Sequence, residues 1–153
     1  MHDRPDPPAD NRWQRGAVVD ALYLGESADT VWAEWYRYLA EVVIPPQAAL
    51  PRDLWRWEID IDHGIADLTT LDRLKGVGLP EPLPGSSQWP AFQKAGEALW
   101  EAGLKGVLAP STARPEGRTL CLFREGRTVD GATPIPPPQE YRSPPIVPKG
   151  MRT

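Results

Sequence analysis

Cysteine and histidine are scarce in this chain. Cys121 is the single cysteine among 153 residues, which excludes an internal disulfide framework and fits a reducing compartment. The two histidines, His2 and His63, are isolated, and with one cysteine they form no zinc or haem pattern, so no metal site is expected. His63 follows Asp62 and precedes Gly64, a sequence typical of a turn.

Basic runs and long apolar runs are also missing. The formal net charge is −4, which gives no electrostatic support for binding to nucleic acid or to an anionic membrane. No segment approaches the ~18 consecutive apolar residues of a membrane span. The polar, proline-rich N-terminus lacks the apolar segment of a secretory signal. We therefore expect a single cytoplasmic domain without a nucleic-acid or membrane partner.

Three common catalytic and phosphate-binding motifs are absent. The sequence has no GxGxxG loop and no GxxxxGK[ST] loop, so neither a dinucleotide-binding fingerprint nor a P-loop is present. It also has no GxSxG motif, and Ser/His/Asp catalysis would have only His63 as its base. The common routes to a nucleotide-binding enzyme or a serine hydrolase are therefore excluded.

Tryptophan and proline are abundant instead. Seven tryptophans are expected mainly in the core or at an interface, because the indole is large and amphipathic. The nineteen prolines cluster in loops and tails. Tails are predicted over residues 1–11 and 132–153, the second wrapping over the surface or staying mobile because it is proline-rich and has no periodicity. The domain proper is predicted over residues 12–131.

The sequence from 17 to 43 predicts a strand followed by an amphipathic helix. The strand covers 17–24, and Ser27 is the expected N-cap of the helix. Pro45 and Pro46 should end the helix near Val43. At about 100° per residue, one broad apolar face is predicted to hold Val31, Trp32, Trp35, Tyr38, Leu39 and Val42.

Shorter elements follow this helix. Trp55, Trp57, Ile59 and Ile61 alternate with polar residues and predict a half-buried strand over 54–61. The remaining predicted elements are a short extension at 65–68, a short helix at 70–75, a helix at 88–102 capped by Ser86 or Ser87, strands at 104–109 and 119–123, and a turn at 125–126 into a hairpin arm. Interspersed helices and strands with few crossovers favour an α+β fold.

Four polar residues lie at predicted element ends, where a site could use them: Arg12, Tyr23, Glu34 and Ser111. Each also has an ordinary structural interpretation, as a solvated arginine, a strand aromatic, a helix-edge charge and a turn residue. Composition and periodicity therefore do not establish a function.

Three segments together resemble the RES domain family: LYLGESADTVWAEWYRYLAE, LPRDLWRWEIDI and QWPAFQKAGEALWEAGLKGVLAPSTARPEGRTLCLF. The most specific part pairs the LYL…S…T…AE stretch with the late APS…ARPEG…LCLF stretch. The resemblance implies a fold similar to that of ADP-ribosyltransferases, with short β-sheets flanked by two main helices. It also implies a toxin that degrades NAD by breaking the nicotinamide–ribose bond.

The resemblance further implies roles for the four residues. Arg12 would bind the pyrophosphate of NAD, and Tyr23 would stack on the nicotinamide ring. Glu34 would stabilise the developing ribosyl cation. Ser111 would donate a hydrogen bond to a ribose hydroxyl or orient Glu34. NAD is then a substrate, and no cofactor is implied.

The acceptor and the partners are further expectations from the resemblance. The acceptor would be phosphate or water, and Arg114 and Arg118 are candidates for binding an acceptor phosphate. The expected partners are a helix-turn-helix antitoxin and a second copy of the chain. Two alternatives stay open: a transferase that attaches ADP-ribose to protein, and a tryptophan-rich binding module without catalysis. The second is kept open because DNRWQ replaces the family's glycine-rich approach to the arginine.

Overall fold

The computed structural model describes residues 8–126 and 128–152. Residues 1–7 of the predicted N-terminal tail, including His2, lie outside this range. The described chain forms an α+β domain, as predicted, with the element order β1 (Asp20–Gly25), α1 (Ala28–Glu41), β2 (Arg52–Ile59), β3 (Ile65–Asp67), α2 (Leu71–Gly76), α3 (Trp89–Glu101), β4 (Gly106–Pro110), β5 (Arg118–Arg124) and β6 (Ala132–Tyr141). A 3-10 turn, Pro46–Ala49, precedes β2.

Four strands form the main sheet in the order β1-β5-β4-β3. The β1–β5 and β4–β5 pairs are antiparallel, whereas β3 and β4 are parallel. Cys121 in β5 lies opposite Tyr23 in β1 and Val107 in β4, at the centre of the sheet. The main core packs against this sheet and contains Trp13, Val19, Leu68, Leu74, Leu79, Phe92, Val107, Ala109, Cys121 and Phe123.

Strands β2 and β6 form a separate antiparallel sheet. The register shifts between Leu54 and Arg56, and this bulge breaks the alternation that the sequence predicted. Leu54 and Trp57 are half-buried, whereas Trp55 and Ile59 are exposed. The prediction of one apolar face over 54–61 was therefore wrong, because the bulge shifts which side chains face the protein.

The predicted structureless tail was wrong for residues 132–141, which form β6. The turn at 125–126 does not lead to an arm that pairs with β5, because β6 pairs with β2. Prolines lower the propensity for a strand, but an edge strand tolerates a residue that lacks an N–H. After β6 the chain runs back over the domain, where the backbone N–H of Arg152 donates to the carbonyl oxygen of Ala113 at 2.7 Å.

Helix α1 begins and ends with specific caps. The Ser27 hydroxyl accepts the N–H of Thr30 at 3.2 Å, which confirms the predicted N-cap. At the other end, Val43 has a φ of 57°, and the N–H of Ile44 donates to the carbonyl oxygen of Leu39 at 2.9 Å. This is the Schellman arrangement, in which a left-handed residue closes the helix. The helix therefore ends before the prolines that were expected to stop it.

The apolar face of α1 is narrower than predicted. Trp32, Trp35 and Leu39 are buried and form a second core cluster against β2 and β6. Tyr38 is 58% exposed and Val42 is 42% exposed, so neither belongs to that cluster. Both side chains instead line a cavity on another side of the helix.

The other two helices also differ from the predictions at their caps. Helix α2 is capped by Thr70, whose hydroxyl accepts the N–H of Arg73. Helix α3 follows Gln88, which makes no side-chain cap bond, so the predicted caps at Ser86 or Ser87 were wrong. Pro90 lies in the first turn of α3, where a missing N–H costs nothing. Among the described residues, no helix has the length and apolarity needed to cross a bilayer.

Candidate active site

A cavity of about 540 Å³ opens where α1, the end of β1 and the end of β4 meet the N-terminal turn. Residues from the loop between α2 and α3 close its remaining side. The lining contains both signs of charge and several aromatic rings. Its polar, charged and aromatic members are Asp10, Asn11, Arg12, Trp13, Tyr23, Glu34, Arg37, Tyr38, Glu41, Trp89, Thr112 and Thr119.

Glu34 and Ser111 are in direct contact although 77 positions separate them in the sequence. The Ser111 hydroxyl donates to Oε1 of Glu34 at 2.6 Å, and the N–H of Ala113 approaches the same oxygen at 3.5 Å. The Ser111 oxygen in turn accepts the N–H of Arg114 at 3.0 Å. Oε2 of Glu34 has no hydrogen-bond partner among the described residues. One carboxylate oxygen is thus held by the protein and the other is available to a ligand.

Tyr23 lies on β1 beside the N-terminal turn. Its hydroxyl accepts the N–H of Trp13 at 3.1 Å and donates to Oε1 of Gln14 at 3.3 Å. Burial, together with the neighbouring Cys121, raises the pKa of Tyr23 well above 10, and burial raises the pKa of Cys121 to about 12. The Tyr23 ring therefore lines the cavity as a neutral phenol whose position is fixed by two hydrogen bonds.

Arg12 lies in the tight turn closed by the bridge between Asn11 and Gln14. This turn packs directly onto α3, because a Cβ at Gly96 would lie only 1.9 Å from the carbonyl oxygen of Trp13. The guanidinium of Arg12 lies 5.1 Å above the ring of Phe92, a cation–π distance. The close packing of turn and helix thus positions the cation at the cavity.

One nitrogen of the Arg12 guanidinium is engaged by the protein itself. Its Nη2 donates to the carbonyl oxygens of Leu83 at 2.6 Å and Gly85 at 3.3 Å. Its Nη1 is buried and has no partner among the described residues. Burial lowers the pKa of Arg12, and the nearby carboxylate of Glu34 partly offsets this. A buried donor without a partner is rare, so a ligand oxygen at Nη1 would complete the site.

Arg114 and Arg118, the candidates for an acceptor phosphate, do not line this cavity. The Nε of Arg114 donates to the carbonyl oxygen of Lys149 at 3.0 Å. The Nε of Arg118 donates to Glu26 at 2.7 Å and points to a different groove. The structure therefore gives no support to a role for either arginine beside Glu34.

Three further residues of α1 line the cavity and were not among the predicted site residues: Arg37, Tyr38 and Glu41. They follow Glu34 by three, four and seven positions, so all four lie on one face of α1. That spacing is visible in the sequence. It was overlooked because Tyr38 was counted with the apolar face, and because arginine and glutamate four apart are typical of a solvated helix surface.

A second, larger groove of about 1330 Å³ lies between the two sheets. It shares Tyr23, Leu24, Gly25, Val31 and Tyr38 with the first cavity. Trp55 and Ile135 are exposed in this groove. The two spaces therefore adjoin along the end of β1 and the first half of α1.

The chain matches a known protein family. The model of the family described as "RES domain" matches residues 1–143, which is nearly the whole chain. The chain belongs to the RES domain family. Tyr23, Glu34 and Ser111, on which the resemblance rested, all lie within the matched part of this RES domain, and so does Arg12.

Curated relatives of this RES domain come from mycobacteria. The chain is 29% identical over 101 residues to proteins named NAD(+) phosphorylase MbcT from Mycobacterium bovis and Mycobacterium tuberculosis. The match covers 65% of the chain and 54% of the relatives, so it spans about half their length.

A solved structure has a similar fold. It is titled as the crystal structure of the M. tuberculosis MbcT-MbcA toxin-antitoxin complex, and it aligns with a TM-score of 0.69 at 24% identity. The alignment covers 86% of this RES domain and 70% of that chain. At this identity the likeness concerns the fold alone.

Proposed function

We propose that this RES domain degrades NAD by cleaving its nicotinamide–ribose bond, and that it acts as the toxin of a toxin–antitoxin pair. The observation that carries the proposal is the Glu34–Ser111 contact at the edge of a mixed-charge cavity, with one carboxylate oxygen left for a ligand. Family membership and the name of the mycobacterial relatives support it. The fold class is then that of ADP-ribosyltransferases, with the four-stranded sheet and α1 enclosing NAD.

Glu34 has the central role in the proposed reaction. As the bond between the ribose C1′ and the nicotinamide nitrogen breaks, nicotinamide leaves with the bonding electrons and the ribose becomes oxocarbenium-like. A fixed carboxylate stabilises this positive charge more in the transition state than in the ground state. Ser111 holds Oε1, so Oε2 can face the sugar without reorganisation of the side chain. Ser111 is thus a positioning residue for Glu34.

Tyr23 and Arg12 would bind the two ends of the substrate. The fixed, neutral ring of Tyr23 would stack on nicotinamide at little entropic cost. The free Nη1 of Arg12 would donate to a pyrophosphate oxygen. The cavity volume of about 540 Å³ suits part of a dinucleotide, and the adjoining groove offers room for the rest. NAD enters as substrate, and the reaction needs no resident cofactor.

Phosphate is the acceptor that we favour, because the curated relatives are named phosphorylases. A phosphate oxygen would bond to C1′ as nicotinamide leaves, giving ADP-ribose phosphate and nicotinamide. Water would give ADP-ribose instead. Attachment of ADP-ribose to a protein is the second candidate, and it is recognised by label from NAD appearing on protein rather than on a small product.

An antitoxin with a helix-turn-helix domain is the proposed partner. Its support is the likeness in fold to a chain solved in a toxin–antitoxin complex. A cell needs such a partner because unrestrained loss of NAD would stop its own growth. We further propose a cytoplasmic location, where NAD is available, and a dimer as the oligomeric state.

One assay tests the activity directly. The purified protein is incubated with NAD in the presence and absence of inorganic phosphate, and free nicotinamide is measured together with the sugar product. We expect nicotinamide release, with ADP-ribose phosphate formed when phosphate is present. Absence of nicotinamide release under both conditions would overturn the proposal and leave a non-catalytic binding module.

A further inference from the structure

Arg37 is a cation at the cavity with unused donors. It lies on α1 one turn beyond Glu34, and its side chain is 26% exposed. Its Nε donates to Oε1 of Glu41 at 3.2 Å. Neither of its terminal nitrogens has a hydrogen-bond partner among the described residues. The outer edge of this guanidinium, with its fork of N–H groups, is therefore available to a ligand.

Glu41 fixes the direction of this guanidinium. The same Oε1 that accepts from Arg37 also accepts the backbone N–H of Gly85 at 3.1 Å, from the loop on the opposite side of the cavity. Contacts from two sides hold the carboxylate, and the carboxylate holds Nε of Arg37. An ordinary surface ion pair has no such third partner and contributes little order.

Arg12 offers only part of its guanidinium to a phosphate group. Its Nη2 is engaged by Leu83 and Gly85, so its remaining donors are Nε and the buried Nη1. The lining carries three carboxylates, Asp10, Glu34 and Glu41, and two guanidinium groups. Because these carboxylates repel an anion, a second cation with free donors favours the binding of a phosphate at this cavity.

We propose that the two terminal nitrogens of Arg37 bind a phosphate oxyanion. The proposal rests on the proposed function, since NAD degradation brings such groups to this cavity from two sources. One is the diphosphate of the dinucleotide, and the other is the free phosphate that accepts the ribosyl group. Fork-shaped, permanently charged donors match two phosphate oxygens at once in either case.

The test compares Arg37→Met and Arg37→Lys with the unchanged protein in steady-state kinetics, varying NAD and inorganic phosphate separately. Met keeps the length of the side chain and loses the charge, whereas Lys keeps the charge and loses the fork. We expect Arg37→Met to raise one of the two KM values about tenfold or more, as the loss of a hydrogen bond to a charged group does. Arg37→Lys should recover part of this loss.

The pattern of change identifies the source of the phosphate group. If Arg37 binds the acceptor, the KM for phosphate rises, the KM for NAD is unchanged, and the product shifts toward ADP-ribose. If Arg37 binds the diphosphate, the KM for NAD rises. In that case, cleavage of nicotinamide riboside, which has no diphosphate, is the same in Arg37→Met and the unchanged protein.

A matched control removes a different ion pair. Arg73 pairs with Asp67 at the surface and does not line the cavity, so Arg73→Met should leave both KM values unchanged. Unchanged KM values in Arg37→Met would overturn the proposal. If the unchanged protein releases no nicotinamide, the binding of inorganic phosphate and of ADP-ribose is measured by calorimetry. If the unchanged protein binds these anions and Arg37→Met does not, the anion site is supported although the proposed activity is wrong. If the two proteins bind them equally, the anion site is overturned as well.

Discussion

The two sheets of this domain differ in how deeply they are buried. In the four-stranded sheet, Val107 and Leu122 are fully buried and Cys121 nearly so. In the two-stranded sheet, Trp55 is 44% exposed and Ile59 is 37% exposed. Both sheets carry large apolar side chains, yet the core cluster beside the first has ten buried residues and the cluster beside the second has three. The same types of residue therefore contribute very different amounts of hydrophobic free energy in the two places.

The residues of the candidate site come mainly from the side of the buried four-stranded sheet. Tyr23 belongs to β1, and Ser111 directly follows β4, so the four-stranded sheet supplies both. Helix α1 lies between the two regions. It presents Glu34 to the cavity and packs Trp32 and Trp35 toward the two-stranded sheet. The candidate site thus draws on the deeply buried sheet, and the more exposed sheet supports the helix from the far side.

The largest expected effect is on the core of the four-stranded side. Phe92 is fully buried and packs edge-on against Trp13, with ring centroids 5.1 Å apart. Phe92→Ala should lower the free energy of unfolding by about 3–5 kcal/mol, because it leaves a cavity that the surroundings cannot fill. Urea unfolding followed by fluorescence measures this. A decrease in the free energy of unfolding below about 1 kcal/mol would mean that the core of the four-stranded side is not the more stabilising of the two.

Glu34→Gln should have the next largest effect, on activity and not on folding. We expect nicotinamide release to fall about 100-fold or more, which corresponds to about 2.7 kcal/mol of transition-state stabilisation. The amide keeps an oxygen that can accept the hydrogen bond from the Ser111 hydroxyl, so the midpoint of urea unfolding should not change. Glu116→Gln is the control, since this carboxylate is on the same loop as Ser111 but outside the cavity. A Glu34→Gln protein with the unchanged rate would remove Glu34 from the reaction.

Tyr23→Phe should cost about 1 kcal/mol of stability, because the N–H of Trp13 loses its acceptor inside the protein. Turnover should fall little, since stacking needs the ring and not the hydroxyl. Calorimetric unfolding and the nicotinamide assay together measure the two effects. A collapse of turnover with unchanged stability would show that the hydroxyl itself acts on the substrate.

The pH dependence of stability offers a second measurement on the same variant. The folded protein keeps the Tyr23 proton because burial raises its pKa well above 10, whereas the unfolded chain releases it near pH 10. The unfolded state therefore binds fewer protons at high pH, and the free energy of unfolding falls as the pH rises through 10. This fall should be smaller in Tyr23→Phe.

Trp55→Ala should have the smallest effect. The indole is exposed next to the bulge of β2, so we expect a loss of about 0.5 kcal/mol and unchanged nicotinamide release. The same unfolding and activity measurements apply. Loss of activity without loss of stability would place the bound dinucleotide against this indole. A loss of stability equal to that of Phe92→Ala would show that the two sheets contribute equally.

The sequence predicted those elements in which the local preference of the residues matches the structure that they adopt in the fold. Short-range sequence signals are enough to predict three of these features: the Ser27 cap, the proline in the first turn of α3 and the apolar run of β4. Strand β6 was missed because its prolines at 134 and 136–138 argue against a strand, and only its partner β2 makes the pairing favourable. Pairing with a distant partner is not visible in local propensity.

The candidate site also depends on contacts between distant parts of the chain, which local sequence patterns do not reveal. The spacing on α1 places Arg37 and Glu41 beside Glu34, so this part of the lining was accessible to helical geometry. The contact between Glu34 and Ser111 depends on how α1 lies against the end of β4, which no local pattern encodes. Their positions at predicted element ends made both residues candidates, and only the resemblance to a family gave them a joint role.

The loop between α2 and α3 is held from both ends of the chain. Arg12 donates to the carbonyl oxygens of Leu83 and Gly85, and Arg152 binds the carboxylate of Glu81 at 2.8 Å. During synthesis on the ribosome, the second of these contacts can form only after Arg152 has been made, 71 residues after Glu81. Until then the loop is held at the cavity by the contacts of Arg12 and Glu41, and the C-terminal segment adds its contact last.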